Sequence, residues 1–144
     1  MCEIKTEIML NASKQNVWEV LTDFSAYRSW STFIDNVTGE AKEGGQLKVT
    51  ITPPGKKSMD FSSKLLVVKP HDELRWCGVL FHPFLFRGEH YFILEQIEDK
   101  TRFIHGEKFT GILMPILNLF KFSENTKRGF EAFNIAFKKR VDAQ

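Results

Sequence analysis

Two cysteines, Cys2 and Cys77, are all that 144 residues contain. That number and their distance apart exclude a disulfide framework, and no zinc-ligand spacing is present. Long apolar runs are also missing. The most apolar window, GILMPILNLF at 111–120, falls well short of a membrane span. The opening MCEIKTEIML lacks the apolar core of a signal peptide, so the expected setting is soluble and cytoplasmic, with no stable membrane insertion. Charge of one sign is scarce: the net value is +2 and the pI about 8.5, too mild for a nucleic-acid partner, which needs a clustered basic footprint. The densest basic run, KKR at 138–140, sits where it complements the dipole at a helix end. No repeat, low-complexity stretch or linker divides the chain. One domain over 1–144 is expected, monomeric or a weak homodimer, with 42% hydrophobic and 26% charged residues placing it among ordinary globular proteins.

What the sequence has in excess is phenylalanine, 14 in all. That much aromatic surface points either to a large core or to a lined pocket. The elements are readable from periodicity. Residues 3–10 alternate as a first strand. Ser13 is a good N-cap for KQNVWEVLTDF, where Val17, Trp18, Val20 and Leu21 make an apolar face. A second short helix is expected over 23–30. Six strands follow, in FIDNVTGE, QLKVTITP, SMDFSSKLLVVK, LRWCGVL, GEHYFILEQI and TRFIHGEKFT, separated by turn residues that favour an antiparallel meander. Pro115 suits a helix start. One helix is predicted from there to about Val141, with Leu119, Phe122, Phe130, Phe133 and Phe137 forming one stripe. Such a helix is the obvious cover for the sheet's apolar face.

The hairpin over 88–109 carries the polar groups of interest. A tight turn at Asp99-Lys100 pairs Leu94 with His105, Phe92 with Glu107, and His90 with Phe109. One face then carries His90, Phe92, Leu94, Gln96, Phe103, His105, Glu107 and Phe109. The other, with Glu89, Tyr91, Ile93, Glu95, Arg102, Ile104 and Lys108, is the more charged and is expected in solvent, with Glu95 and Arg102 paired. His90, His105 and Glu107 thus point inward. They read as satisfied buried groups, as a polar anchor in an apolar pocket, or as an acid–base set. A metal site is disfavoured, because this register sets the two histidines about 13 Å apart, at about 3.3 Å per residue. No nucleophile motif surrounds Ser62, Ser63 or Cys77, and no cofactor is implied.

Several stretches together resemble the START-like, or SRPBCC, superfamily, in particular its small bacterial polyketide cyclase/dehydrase group. These are S-x-x-x-VW-x-VLTDF-x-x-Y-x-x-W at 13–30, LRW-x-G at 74–78, GEH-x-F-x-L at 88–94, TRF-x-H-x-E-x-F-x-G at 101–111 and GFEAFNIAFKKR at 129–140. The resemblance implies an α+β helix-grip fold, a curved antiparallel sheet wrapped around a long C-terminal helix, with two short helices after the first strand. It implies a hydrophobic small molecule as partner: a lipid, a polyketide or an aromatic compound. It implies no single reaction, since no catalytic set is common to the superfamily. The expected lining is Trp76, His90, Phe92, Leu94, Phe103, His105, Glu107 and Phe109 from the sheet, with Leu117, Phe120 and Phe130 from the helix. FHPFLF at 81–86 is expected as an apolar lip, suited to ligand entry or a membrane-surface encounter, or else packed. Three functions follow: a carrier or sensor; a cyclase or dehydratase using Glu107 with His90 or His105; and a co-chaperone-like interaction module, whose interior would be filled by side chains.

Overall fold

The computed structural model describes residues 2–143. Strand β1 (Cys2–Leu10) leads into helix α1 (Lys14–Thr22), a 3-10 turn (Phe24–Ala26) and the short α2 (Tyr27–Trp30). Ser13 caps α1 as expected: its backbone is extended and its hydroxyl accepts from the Asn16 N–H. Val17, Trp18, Val20 and Leu21 are the buried face of that helix. Strands β2 (Ile34–Thr38), β3 (Gln46–Ile51), β4 (Met59–Lys69), β5 (Glu73–Val79), β6 (Arg87–Ile97) and β7 (Lys100–Thr110) then run as a meander. All pairings are antiparallel, and β1 closes against β7, giving the order β1-β7-β6-β5-β4-β3-β2. The sheet curls into a half-barrel around the C-terminal helix, a helix-grip fold.

The terminal helix departs from its expected form. It is split into α3 (Met114–Asn118) and α4 (Phe122–Asp142), with Lys121 left-handed at φ 59° between them. A straight helix can bury one stripe, but Ile116, Leu117, Leu119 and Phe120 are apolar on every side. The corner at Lys121 turns α3 away from the axis of α4. Leu119 therefore leaves the predicted stripe and is 81% exposed, while Phe130, Phe133 and Phe137 are fully buried on α4. Gly129 allows the close approach on this helix, since a Cβ there would overlap the ring of Phe33. Phe33 itself has φ 67°, uncommon for a bulky residue, and that conformation sets its ring edge-on to Phe130, 5.5 Å between centroids.

The hairpin register also differs from expectation, by two residues. Ile97 pairs with Lys100, so Leu94 faces Phe103, Phe92 faces His105, His90 faces Glu107 and Gly88 faces Phe109. The turn is Glu98-Asp99, with Glu98 left-handed at φ 56°. Because side chains alternate with period two, an even shift leaves each residue on its predicted face. Glu95 and Arg102 are direct partners and ion-pair at 3.2 Å. The outer face is less wet than its charge suggests. Tyr91 and Ile104 are buried there; the Arg75 guanidinium lies 4.8 Å from the Tyr91 ring centroid, and the Tyr91 hydroxyl donates to Glu3 at 2.6 Å.

Candidate functional site

Between the inner face of β3–β7 and the α3–α4 corner lies a cavity of about 270 Å³, partly open to solvent. Strand alternation builds its walls. Val49 and Ile51 come from β3, Phe61 and Ser63 from β4, Trp76 and Gly78 from β5, His90 from β6, and Glu107 and Phe109 from β7. Phe33 and Phe86 close the sides, and Leu117, Phe120, Phe122, Asn125 and Thr126 complete it from the helices. The lining is overwhelmingly apolar, with Glu107 its one carboxyl group.

Six of the residues expected on the wall are there: Trp76, His90, Glu107, Phe109, Leu117 and Phe120. Phe92, Leu94, Phe103, His105 and Phe130 do not reach it. They are packed behind it, each 3% exposed or less, because α4 presses its Phe130, Phe133 and Phe137 rings onto that half of the sheet. Phe92 and Phe103 stack at 5.6 Å, and Phe103 and Phe137 lie 4.6 Å apart. The sequence reading missed Phe33, Val49, Ile51, Phe61, Ser63, Phe86, Phe122 and Thr126. The same alternation, carried across to β3 and β4, finds Val49, Ile51, Phe61 and Ser63. Phe33 and Phe122 are set by the left-handed residue at Phe33 and the corner at Lys121, for which the sequence gives no signal.

The cavity wall is the outer end of a polar chain that runs into the core. Glu107 Oε1 is 3.1 Å from His90 Nδ1, His90 Nε2 is 2.7 Å from His105 Nε2, and His105 Nδ1 is 2.8 Å from Asn134 Oδ1. Asn134 Nδ2 reaches Thr6 Oγ1 at 2.8 Å, and Thr6 donates its hydroxyl to the His105 carbonyl at 2.8 Å. Complementarity along this chain sets the protons. Thr6 spends its one proton on a carbonyl, so it accepts from Asn134. The amide oxygen of Asn134 then faces a protonated His105 Nδ1. A neutral His105 has a bare Nε2, which accepts from His90 Nε2–H. His90 Nδ1 is then bare, and its partner Glu107 donates as a neutral carboxylic acid.

Burial enforces the same assignment. Desolvation pushes the Glu107 carboxyl up to about 8 and His90 down to about 3. His105 is held well below its usual range, by desolvation first and then by His90. The rings around the imidazoles supply that apolar setting: Trp76 stacks on His90 at 5.1 Å and Phe130 on His105 at 4.2 Å. Gly88 makes room for the acid, since a Cβ there would overlap Glu107 Oε2.

The two-residue register difference overturns the large separation expected between the histidines. His90 and His105 are diagonal neighbours in hydrogen-bond contact. At 2.7 Å their nitrogens are closer than two imidazoles stand on a tetrahedral zinc, about 3.4 Å for Zn–N bonds of about 2.1 Å. Among the described residues no group of three His, Cys, Asp or Glu is placed to hold a metal ion. No helix among them is long and apolar enough to cross a membrane.

Comparison with known proteins agrees with this architecture. The aromatase/cyclase Zhui from Streptomyces sp. R1128 superposes with a TM-score of 0.78 at 13% identity, over 98% of this chain and 93% of that one. A hypothetical protein of Helicobacter pylori gives 0.79 at 16% identity, over 97% and 88%. Ara h 8.0201 gives 0.74 at 12% identity, over 99% of both chains. Identities this low establish the shared fold alone. No curated protein matches the sequence. A family model described as polyketide cyclase / dehydrase and lipid transport matches residues 1–142, and with nearly the whole chain covered, the protein belongs to that family.

Proposed function

We propose that the cavity binds a small hydrophobic or amphipathic molecule, as a carrier or sensor. The observation that carries this is an unfilled apolar hollow, about 270 Å³, close to the lower end of the roughly 300–1,000 Å³ usual for ligand pockets. The hydrophobic body of the ligand lies against Trp76, Phe109, Leu117 and Phe120, together with Phe33 and Phe61. Its single polar group meets Glu107, with His90 behind. Phe92, Leu94, Phe103, His105 and Phe130 hold that wall in place from the core. The family description, with its lipid transport, supports the same reading. Native mass spectrometry of freshly purified protein tests it: a co-purified small molecule is expected, and Ile51→Trp, which puts an indole into the hollow, should abolish its retention. Retention by the Ile51→Trp variant equal to wild type would refute the cavity as the binding place.

A second reading is favoured by one specific observation, the Glu107–His90–His105 chain. A neutral acid on the wall, oriented by His90, can give a proton to a bound carbonyl oxygen, and the carboxylate left behind can take one from the adjacent carbon of the same substrate. That is the equipment of a cyclase or dehydratase with Glu107 as acid and base in turn and His90 holding it in place; an aromatase/cyclase shares the fold. Turnover of poly-β-ketone substrates by wild type and its loss in Glu107→Gln would establish this reading. Ligand retention in both without turnover would leave the carrier. An interaction module of co-chaperone type calls for a filled interior, and the open cavity speaks against it.

A further inference from the structure

Three segments meet at the mouth of the cavity. They are 53–58, which contributes Pro53 and Lys56 to its wall, 80–87, which contributes Leu80 and Phe86, and 111–121, which contributes Leu117 and Phe120. The second and third are tied together: the Ile112 N–H donates to the Phe84 carbonyl and the Leu113 N–H to the Leu85 carbonyl, both at 3.1 Å. Of the ten large apolar side chains exposed among the described residues, six stand on this rim. Phe81 is 84% exposed, Leu119 81%, Phe120 71%, Phe84 65%, and Ile112 and Ile116 54% each. A soluble protein rarely gathers so many without a partner.

Charge says what the partner is. No Asp or Glu falls in any of the three segments, although the chain carries 18. Lys56, Lys57 and Lys121 are exposed there, while Arg87 pairs with Glu89. Glu124 lies just beyond, in the first turn of α4. Aromatic and aliphatic tips ringed by lysines, with no acid among them, match the headgroup and upper acyl region of a negatively charged bilayer. A second copy of the chain matches poorly, because a two-fold contact through this rim sets lysines against lysines.

We propose that the rim docks on an anionic lipid bilayer, with Phe81, Phe84, Leu119 and Phe120 entering the interface and the cavity mouth facing the lipid. Under the proposed carrier function, an amphipathic molecule would then pass between bilayer and cavity without crossing bulk water. The docking itself needs no ligand. It is measured by co-sedimentation with phosphatidylcholine vesicles, with and without a third of phosphatidylglycerol. Wild type should partition onto the anionic vesicles and lose most of that binding in high salt. Phe81→Ser/Phe84→Ser should lower partition at least tenfold. Lys57→Glu should lower it about fivefold on anionic vesicles only. None of these three side chains lines the cavity or sits at its corner, so retention of a hydrophobic probe without vesicles should match wild type in both variants. Absence of wild-type partition, or partition unchanged in both variants, would overturn the proposal. So would a dimer in analytical ultracentrifugation that Phe81→Ser/Phe84→Ser dissolves. Vesicle binding without probe retention would instead sink the cavity function and leave the docking standing.

Discussion

The space beneath the sheet divides into two halves that use the same amino acid to opposite ends. Under β1 and the hairpin-turn end of β6 and β7 the rings of Phe92, Phe103, Phe130, Phe133 and Phe137 pack solid. Under β3, β4 and the opposite end of β6 and β7 the rings of Phe33, Phe61, Phe86, Phe109 and Phe122 stand around a hollow. Composition does not separate them; the helix does. Where α4 runs unbroken, each phenylalanine meets another ring. Where the chain turns at Lys121, α3 swings aside and the opposite wall is withdrawn. The polar chain from Glu107 to Thr6 marks the boundary, buried at one end and open to the cavity at the other.

The most severe way to break this contrast is Phe133→Ala. Removing a fully buried ring from the packed half should cost about 3–5 kcal/mol, read from urea unfolding. The same change at half-buried Phe122 should cost about 1 kcal/mol, since one side of that ring already faces the void. Equal costs would show that the hollow is filled in solution. Next in size, Asn134→Ala leaves the His105 Nδ1–H without its acceptor and the Thr6 oxygen without its donor, and should cost about 1–3 kcal/mol.

A smaller effect is legible in pH. Unfolded, His90 and His105 take up protons below about 6.5, whereas both stay neutral in the fold. Stability is therefore lost as pH falls below that value. Glu107 behaves oppositely: unfolded it ionises near 4.5, folded near 8. Between those values the native state holds the extra proton, so this group costs stability as pH rises. With two histidines against one acid, stability should peak near pH 6.5 and decline by about 1 kcal/mol toward pH 8. Glu107→Gln keeps a donor for His90 Nδ1 without a titrating proton, so the alkaline decline should vanish in urea midpoints measured across that range. A decline that persists would mean that a group other than Glu107 causes it. Least in stability but largest in binding, Ile51→Trp should change unfolding by under about 1 kcal/mol while eliminating probe retention, measured by fluorescence titration.

Most of the fold was legible because burial imposes period on sequence. The seven strands, the Ser13 cap and the covering helix each follow from a local pattern, and the inward set of the hairpin survived a misplaced turn because the error was even. What failed was distance along the strand: His90 and His105 seemed far apart and are in contact. The turn was misjudged because Glu98 takes a left-handed conformation that ordinary turn residues did not advertise. The site was half legible for a related reason. Alternation tells which side a residue faces, but not whether anything stands opposite. Phe92 and Trp76 share that inward face, yet only Trp76 meets empty space. Its far wall depends on Phe33 and Lys121, two left-handed residues whose strain is settled by tertiary packing.

Gly88 carries a last consequence. A methyl group at that position would crowd the Oε2 oxygen of the carboxyl it shelters, so the acid would have to shift within the hollow to make room. The seat of the one acid on the cavity wall thus depends on a residue with no functional group at all. Gly88→Ala would move that acid while every titratable side chain stayed the same.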